Sequence, residues 1–167
     1  MSSITENMQA QSASRSFFKA VIHAALIAGT LDILSAIIVS GAYAGTFRPV
    51  RLLQGIASGA VGSAAFEGGL AMALAGLIFH YCFALMFAVV YFLLYPYLPF
   101  LRHYTVVWGF IYGVVAWAIM NGVVIPLSAL KPGPFLLWKA LVNMLILMFM
   151  IGLPIALLAR KYYRRNA

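Results

Sequence analysis

The sequence predicts an all-α fold, a polytopic membrane four-helix bundle with a short interfacial or re-entrant helix between spans 1 and 2. Three observations carry this expectation. Of 167 residues, 65% are hydrophobic and 8% charged, against roughly half apolar and a quarter charged in a soluble domain, and the mean hydropathy is +1.00. The three acids, Glu6, Asp32 and Glu67, are too few to coat a globule with alternating charge, a coat that hydrocarbon does not require. The apolar residues also gather into four runs, each exceeding the ~20 residues needed to cross ~30 Å of hydrocarbon.

Residues 1–16 read as an N-terminal lead-in, polar from Met1 to Ser14 and without an apolar face, so disorder is expected there. The first span runs from Phe17 to Ala42. Ala42-Tyr43-Ala44 resembles a signal-peptidase site, but the run before it exceeds the 7–15 residues of a signal core and contains Asp32, so it reads as a retained span. The second span is placed at Gly69–Tyr95, the third at Tyr104–Leu130 and the fourth at Phe135–Ala159, closing a transmembrane domain over 17–160 before a basic tail at 161–167. Pro96-Tyr97-Leu98-Pro99 and Lys131-Pro132-Gly133-Pro134 stop helices, because proline lacks the amide donor and restricts the residue before it. Links this short make successive helices antiparallel neighbours.

The link from Tyr43 to Gly68 is longer. Its segment Pro49–Ala57 is too short to span, Pro49 suits a first helical turn, and Arg48 and Arg51 fit the headgroup level while Val50, Leu53 and Ile56 face lipid or protein. An interfacial or re-entrant helix and a loop packed on the bundle are both compatible with it.

Charge sets the orientation and the partners. A net charge of +8 would suggest nucleic acid in a soluble protein, but the basic residues cluster outside the apolar runs, the pattern of contact with anionic lipid headgroups. Arg15, Lys19, Arg102, Arg160, Lys161, Arg164 and Arg165 lie on one side, against Arg48, Arg51, Lys131 and Lys139 on the other. The positive-inside bias therefore places both termini in the cytoplasm of a bacterial inner membrane. Tyr162 and Tyr163 are expected at the lipid interface. The single Cys82, inside an apolar run, is expected to be a packing thiol.

Polar residues inside the runs carry the functional information, since hydrocarbon supplies no partners. Measured at 1.5 Å per residue from the far ends of the spans, Asp32 lies ~15 Å deep, His80 ~17 Å, Asn121 ~14 Å and Asn143 ~12 Å, one polar layer with a member from each helix. Asp32 has the largest insertion cost, roughly 2.5–3.5 kcal/mol at the bilayer centre, so it should be neutral or paired, and His80 is the expected partner. Small residues flank both: Ala25, Ala28, Gly29 and Ala36 near Asp32, and Gly69, Ala73, Gly76 and Ala84 in line with His80, which predicts close packing of the first two spans. The layer reads equally as bundle-holding hydrogen bonds or as a proton or solute site. Glu67 is a candidate cap at the start of the second span or a mouth residue toward His80. His23 and Lys139 read as interfacial, and a haem held by His23 and His80 is excluded by their ~13 Å separation along the membrane normal. Pro126 and Pro154 are expected to kink the last two spans. The pattern contains no nucleophile–base pair, metal cluster or phosphate loop, so neither an enzymatic reaction, a metal nor a cofactor is expected.

The order Gly29-Thr30-Leu31-Asp32, Ala65-Phe66-Glu67-Gly68-Gly69, His80 followed by Tyr91, Pro99-Phe100-Leu101, Tyr112-Gly113, Met120-Asn121 and Pro126-Leu127-Ser128 resembles a group of small uncharacterised bacterial membrane proteins, over residues 25–160. That group is distantly similar to the YagU inner-membrane family, which is linked to acid resistance. The similarity to YagU itself is confined to His80–Leu127 and does not extend to Asp32. The resemblance implies a membrane protein and supplies no reaction. The leading functional expectation is a proton-linked or solute-linked membrane function in a homo-oligomer or larger complex. The competing one is a non-catalytic accessory or assembly subunit.

The topology is testable directly. Reporter fusions at the C-terminus and within Lys131–Pro134 should report opposite sides of the membrane, with the C-terminus cytoplasmic; a periplasmic C-terminus reverses the assignment.

Overall fold

The computed structural model describes residues 2–130 and 136–166; the link at Lys131–Pro134 and the expected start of the fourth span at Phe135 lie outside the described residues. Four helices are long and apolar enough to cross a membrane, through Ser14–Ala44, Gly69–Leu94, Thr105–Leu127 and Leu137–Arg165. We name the helices in chain order: α1 (Ser2–Ala44), α2 (Pro49–Val61), α3 (Gly69–Leu94), the short α4 (Pro99–His103), α5 (Thr105–Leu127) and α6 (Leu137–Arg165). The Phe17 and Tyr162 rings are 6.0 Å apart, so the two chain ends share one side of the bundle, the terminal side. The opposite side is the distal side.

The first helix differs from expectation at its start. Its backbone is helical from Ser2, although the polar lead-in was expected to be disordered. Helix growth from an existing span costs little compared with nucleation, and no Pro or Gly between Ser2 and Ser16 interrupts it. The apolar stretch of 31 residues measures ~46 Å at 1.5 Å per residue, well over the ~30 Å hydrocarbon, so α1 must tilt or protrude. Gly45, at φ 63°, ends it in the left-handed conformation that a side chain disfavours.

The doubtful link is a 13-residue helix with Pro49 in its first turn. It lies against protein on the distal side. A Cβ placed on Gly76 would fall 1.9 Å from the Leu53 carbonyl oxygen, so α2 and α3 meet backbone to backbone. Gln54 Nε2 donates to the Gly69 carbonyl at 3.0 Å, and the Ala129 amide donates to the Gly59 carbonyl at 2.8 Å. These bonds join α2 to the distal ends of α3 and α5.

Small residues set the remaining contacts. At Gly29 a Cβ would lie 3.1 Å from Ala84 Cβ and 3.0 Å from the Tyr81 ring, so α1 and α3 pack closely, as the small-residue stripes predict. The α3 stripe is divided, because its distal member Gly76 serves α2. A second backbone-to-backbone crossing, between α5 and α6, was not anticipated. A Cβ on Gly152 would sit 2.1 Å from the Gly109 carbonyl, and one on Gly113 would sit 2.4 Å from Met148 Cα, the close approach that a Gly-x-x-x-Gly spacing permits.

Both expected proline kinks take the form of π turns. The Ile125 amide bonds back five residues to Met120 and the Leu153 amide five residues to Met148, each directly before a proline. The ring has no donor and crowds the carbonyl four residues earlier, so the preceding turn widens.

The core lies toward the terminal side, where Val21, Ala24, Ala28, Tyr91, Phe92, Ile155 and Ala156 are each 1% exposed or less. Leu74 and Ile78, at 61% and 62%, form the outer face of α3, as lipid contact requires. Cys82 is exposed, which corrects the expected packing thiol. Two residues beyond His80, it points away from the side of α3 that meets α1.

The docking of α2 is testable by two glycine substitutions. Gly76→Ala should lower stability by about 1–3 kcal/mol through overpacking, read as an earlier unfolding midpoint in detergent. Gly55→Ala, where a Cβ meets nothing within 4 Å, should leave stability unchanged or raise it by up to about 1 kcal/mol. Equal midpoints would show that α2 is not seated on α3.

Candidate functional site

Because Gly29 has no side chain, α3 comes close enough for His80 to reach across to α1. His80 Nε2 lies 2.8 Å from the Gly29 carbonyl oxygen. A carbonyl only accepts, so Nε2 carries a proton, and in the neutral form of the ring Nδ1 is an acceptor. That nitrogen stands 4.0 Å from Asp32 Oδ2. The pair expected from depth alone therefore faces one another across the α1–α3 contact, at ion-pair distance rather than the ~2.9 Å of a direct hydrogen bond.

Asn121 lies in the π turn of α5, and its Nδ2 donates to the Trp117 carbonyl at 2.9 Å. The amide must be turned this way, since two oxygens would repel, so Oδ1 remains available as an acceptor. Asn143, on α6, is exposed rather than interior. Asp32, His80, Asn121 and Asn143 all line a single cavity of about 620 Å³. Its other walls are nearly all apolar: Leu52 and Ile56 of α2 contribute, Phe79, Phe83 and Phe87 form a stripe on α3, and Leu147 comes from α6. Asn143 and Ala36 also line an adjoining cleft of about 470 Å³ that includes Ser40, Tyr43 and Lys139. The cavity thus meets a cleft between α1 and α6 near their distal ends.

Aromatic side chains close the terminal side. Tyr112 Oη donates to the Phe87 carbonyl at 2.8 Å, and the Tyr91 ring lies 4.8 Å from that of Tyr112. Tyr95 stacks on Tyr163 at 4.9 Å, and Tyr163 Oη donates to the Phe92 carbonyl at 2.8 Å. Tyr162 and Tyr163, expected at the lipid interface, are half-buried and join this cluster, because their rings fill space between α6, α3 and Phe17. Tyr91 Oη and Trp117 Nε1 are buried with no hydrogen-bond partner among the described residues.

The other candidates lie outside the cavity. Glu67 follows a short 3-10 turn, Gly62–Phe66, is exposed, and makes no side-chain cap on α3. It stands two residues before the start of α3, as a dipole-favoured acid would, and it is not among the cavity-lining residues. The Arg51 guanidinium lies 5.0 Å over the Phe66 ring, and Arg48 and Arg51 share a cleft with Ser40 and Thr46. Lys139 Nζ lies 5.5 Å from the Tyr43 ring and 5.4 Å from the Trp138 ring, a cation–π seat for an interfacial lysine. Arg160, Lys161, Arg164 and Arg165 line one shallow cleft at the end of α6. His23 is exposed. Among the described residues no three His, Cys, Asp or Glu side chains converge as metal ligands would.

Sequence reasoning did not find the contribution of α2, the phenylalanine stripe or Tyr112. The four-residue spacing of Phe79, Phe83 and Phe87, with Phe79 next to His80, was the available signal. Comparison of the chain with protein-family models, with curated proteins and with solved structures finds no match.

Two tyrosines beneath the cavity should behave oppositely. Tyr112→Phe removes the bond to the Phe87 carbonyl and should cost about 0.5–1.5 kcal/mol. Tyr91→Phe removes a hydroxyl that has no partner and should be neutral or stabilising. Thermal unfolding in nanodiscs reads both, and a larger loss for Tyr91→Phe would contradict the hydrogen-bond assignment.

Proposed function

We propose that this multi-pass membrane protein binds a small solute in its intramembrane cavity, with proton occupancy of the Asp32–His80 pair linked to binding. One observation carries the reading: four polar side chains, one from each span, line a single space, and none of the four side chains hydrogen-bonds directly to another. Polar groups that serve only to join helices hydrogen-bond across the helix interface. Here Asn121 bonds within its own helix and Asp32 faces His80 Nδ1 at 4.0 Å, beyond direct hydrogen-bond reach. His80 makes the one cross-helix bond of the layer, and that bond sets its tautomer.

The chemistry follows from geometry. Asp32 and His80 Nδ1 can hold one proton between them, and a buried acid without a counter-charge is unfavourable in hydrocarbon. A change of solute in the cavity therefore changes which proton state is favoured. The basic residue distribution supports a bacterial inner membrane with the terminal side cytoplasmic, so the cleft beside Asn143 faces the periplasm. Arg160, Lys161, Arg164 and Arg165 are suited to anionic headgroups. We also propose self-association, membership of the group distantly similar to YagU, and binding without covalent chemistry.

A second reading, an accessory or assembly subunit, has its own observation. Thr30 Oγ1 and Tyr81 Oη bond to each other at 2.8 Å on an exposed face of the α1–α3 pair, a polar contact that a partner helix would cover.

Carbodiimide labelling tests the first reading, because the chain has only three acids. In native membranes Asp32 should acquire the adduct, located by mass spectrometry, and Asp32→Asn should accumulate normally but carry no label in that peptide. An Asp32 that reacts only after unfolding would show the cavity to be closed and would leave the subunit reading in place.

A further inference from the structure

Around Asp32 and His80 the hydrogen-bond donors of the polar layer are engaged, and this specifies the chemistry that part of the cavity favours. The Nε2–H of His80 is held by the Gly29 carbonyl, and one N–H of the Asn121 amide is turned to the Trp117 carbonyl. Beside Asp32 this leaves Asp32 Oδ2, the Nδ1 of a neutral His80 ring and Asn121 Oδ1 as acceptors, while Asn143, at the cavity's exposed edge, brings an amide with both a donor and an acceptor. Among the described residues no Lys or Arg lines the cavity; Lys139 belongs to the adjoining cleft. A carboxylate or phosphate group placed beside Asp32 would meet acceptors and an acid, with no cation among the described lining residues to offset it.

We infer that the cavity takes a lipophilic ammonium, an organic cation with a donor-rich N–H head and an apolar body, an inference that rests on the binding reading above. The head sits between Asp32 and His80 Nδ1, where its N–H groups meet the free acceptors. The body lies along the phenylalanine stripe. A volume of about 620 Å³ falls within the ~300–1,000 Å³ of small-molecule sites. An alcohol of the same skeleton brings a donor but no charge, and a carboxylate brings the wrong charge, so the ammonium alone satisfies both the acceptors and the acid.

Proton and ammonium compete for the same carboxylate. When the ammonium enters a site whose Asp32 is protonated, the carboxyl O–H bond breaks, the proton leaves to solvent, and the ion pair takes its place; total charge is conserved. His80, from α3, is the titratable group facing Asp32, and among the described residues α2, α5 and α6 contribute no acid or base to the lining. Ammonium affinity therefore rises with pH wherever the empty site holds the proton.

The test uses the full-length chain in phosphatidylcholine nanodiscs, with calorimetry of 4-phenylbutylammonium, 4-phenylbutanol and 4-phenylbutyrate against empty discs. The ammonium should bind at least about tenfold more tightly than the alcohol, release a proton on binding, and protect Asp32 from carbodiimide, while the carboxylate should not bind. Asp32→Asn should reduce the ammonium to the level of the alcohol. Asp32→Glu, which keeps the charge, should retain the preference at lower affinity. Equal or tighter binding of the alcohol or the carboxylate, or ammonium binding unaffected by Asp32→Asn, overturns the inference. If none of the three binds while Asp32 still reacts with carbodiimide, the ammonium assignment falls and the cavity reading stands. If Asp32 is also unreactive, the cavity reading itself fails.

Discussion

The hydrogen bond from His80 to the Gly29 carbonyl is the interaction on which the site depends. Within hydrocarbon a histidine N–H must find an acceptor in the protein, and this one uses a backbone carbonyl of the neighbouring span. It can do so because Gly29 lets α3 approach closely. The same bond fixes the protonated nitrogen and turns the other toward Asp32. Helix separation, tautomer and the acceptor character of the cavity thus follow from one glycine and one imidazole.

Around this contact the bundle is built from two backbone clasps of different kinds. The α5–α6 crossing is made of glycine against backbone at Gly109, Gly113 and Gly152, while α3 clasps α2 through Gly76. The prolines then shape rather than break the last two spans. In α5 the widened turn carries Met120, Asn121 and Val124 into the cavity wall, where an unbroken helix would present a different set of side chains. π turns often mark functional sites, and here the turn delivers the one polar residue that α5 contributes at that depth.

The number, order and approximate limits of the spans were legible because a run of ~20 apolar residues has few alternatives. The polar layer was legible for a related reason: rise per residue converts sequence position into depth. Depth is only one coordinate. It brought Asp32 and His80 to the same level, but could not tell that Asn143 would stand exposed at an edge shared by two clefts. Rotation about the helix axis also decided Cys82, which an apolar run alone made look buried. The place of α2 was illegible because its contacts depend on Leu53 backbone meeting Gly76, and backbone–backbone fit leaves little trace in hydropathy. Tyr162 and Tyr163 have the composition of an interfacial belt, but their partners, Phe17, Phe92 and Tyr95, are distant in sequence and emerge only when three helices meet.

The core occupies the half of the bundle near the chain ends, whereas the cavity, the cleft and α2 occupy the other half. This unequal packing gives the molecule a handle and a mouth. The handle is a dense knot of aromatic rings and alanines in which a volume change is costly. The mouth is walled by side chains that already border empty space, such as Leu52, Phe79 and Val124, so exchanging them changes what fits without loosening the knot. Such a division permits variation in ligand preference while the scaffold stays constant, so that copies of this architecture with altered mouths could serve chemically different ligands on the same four helices.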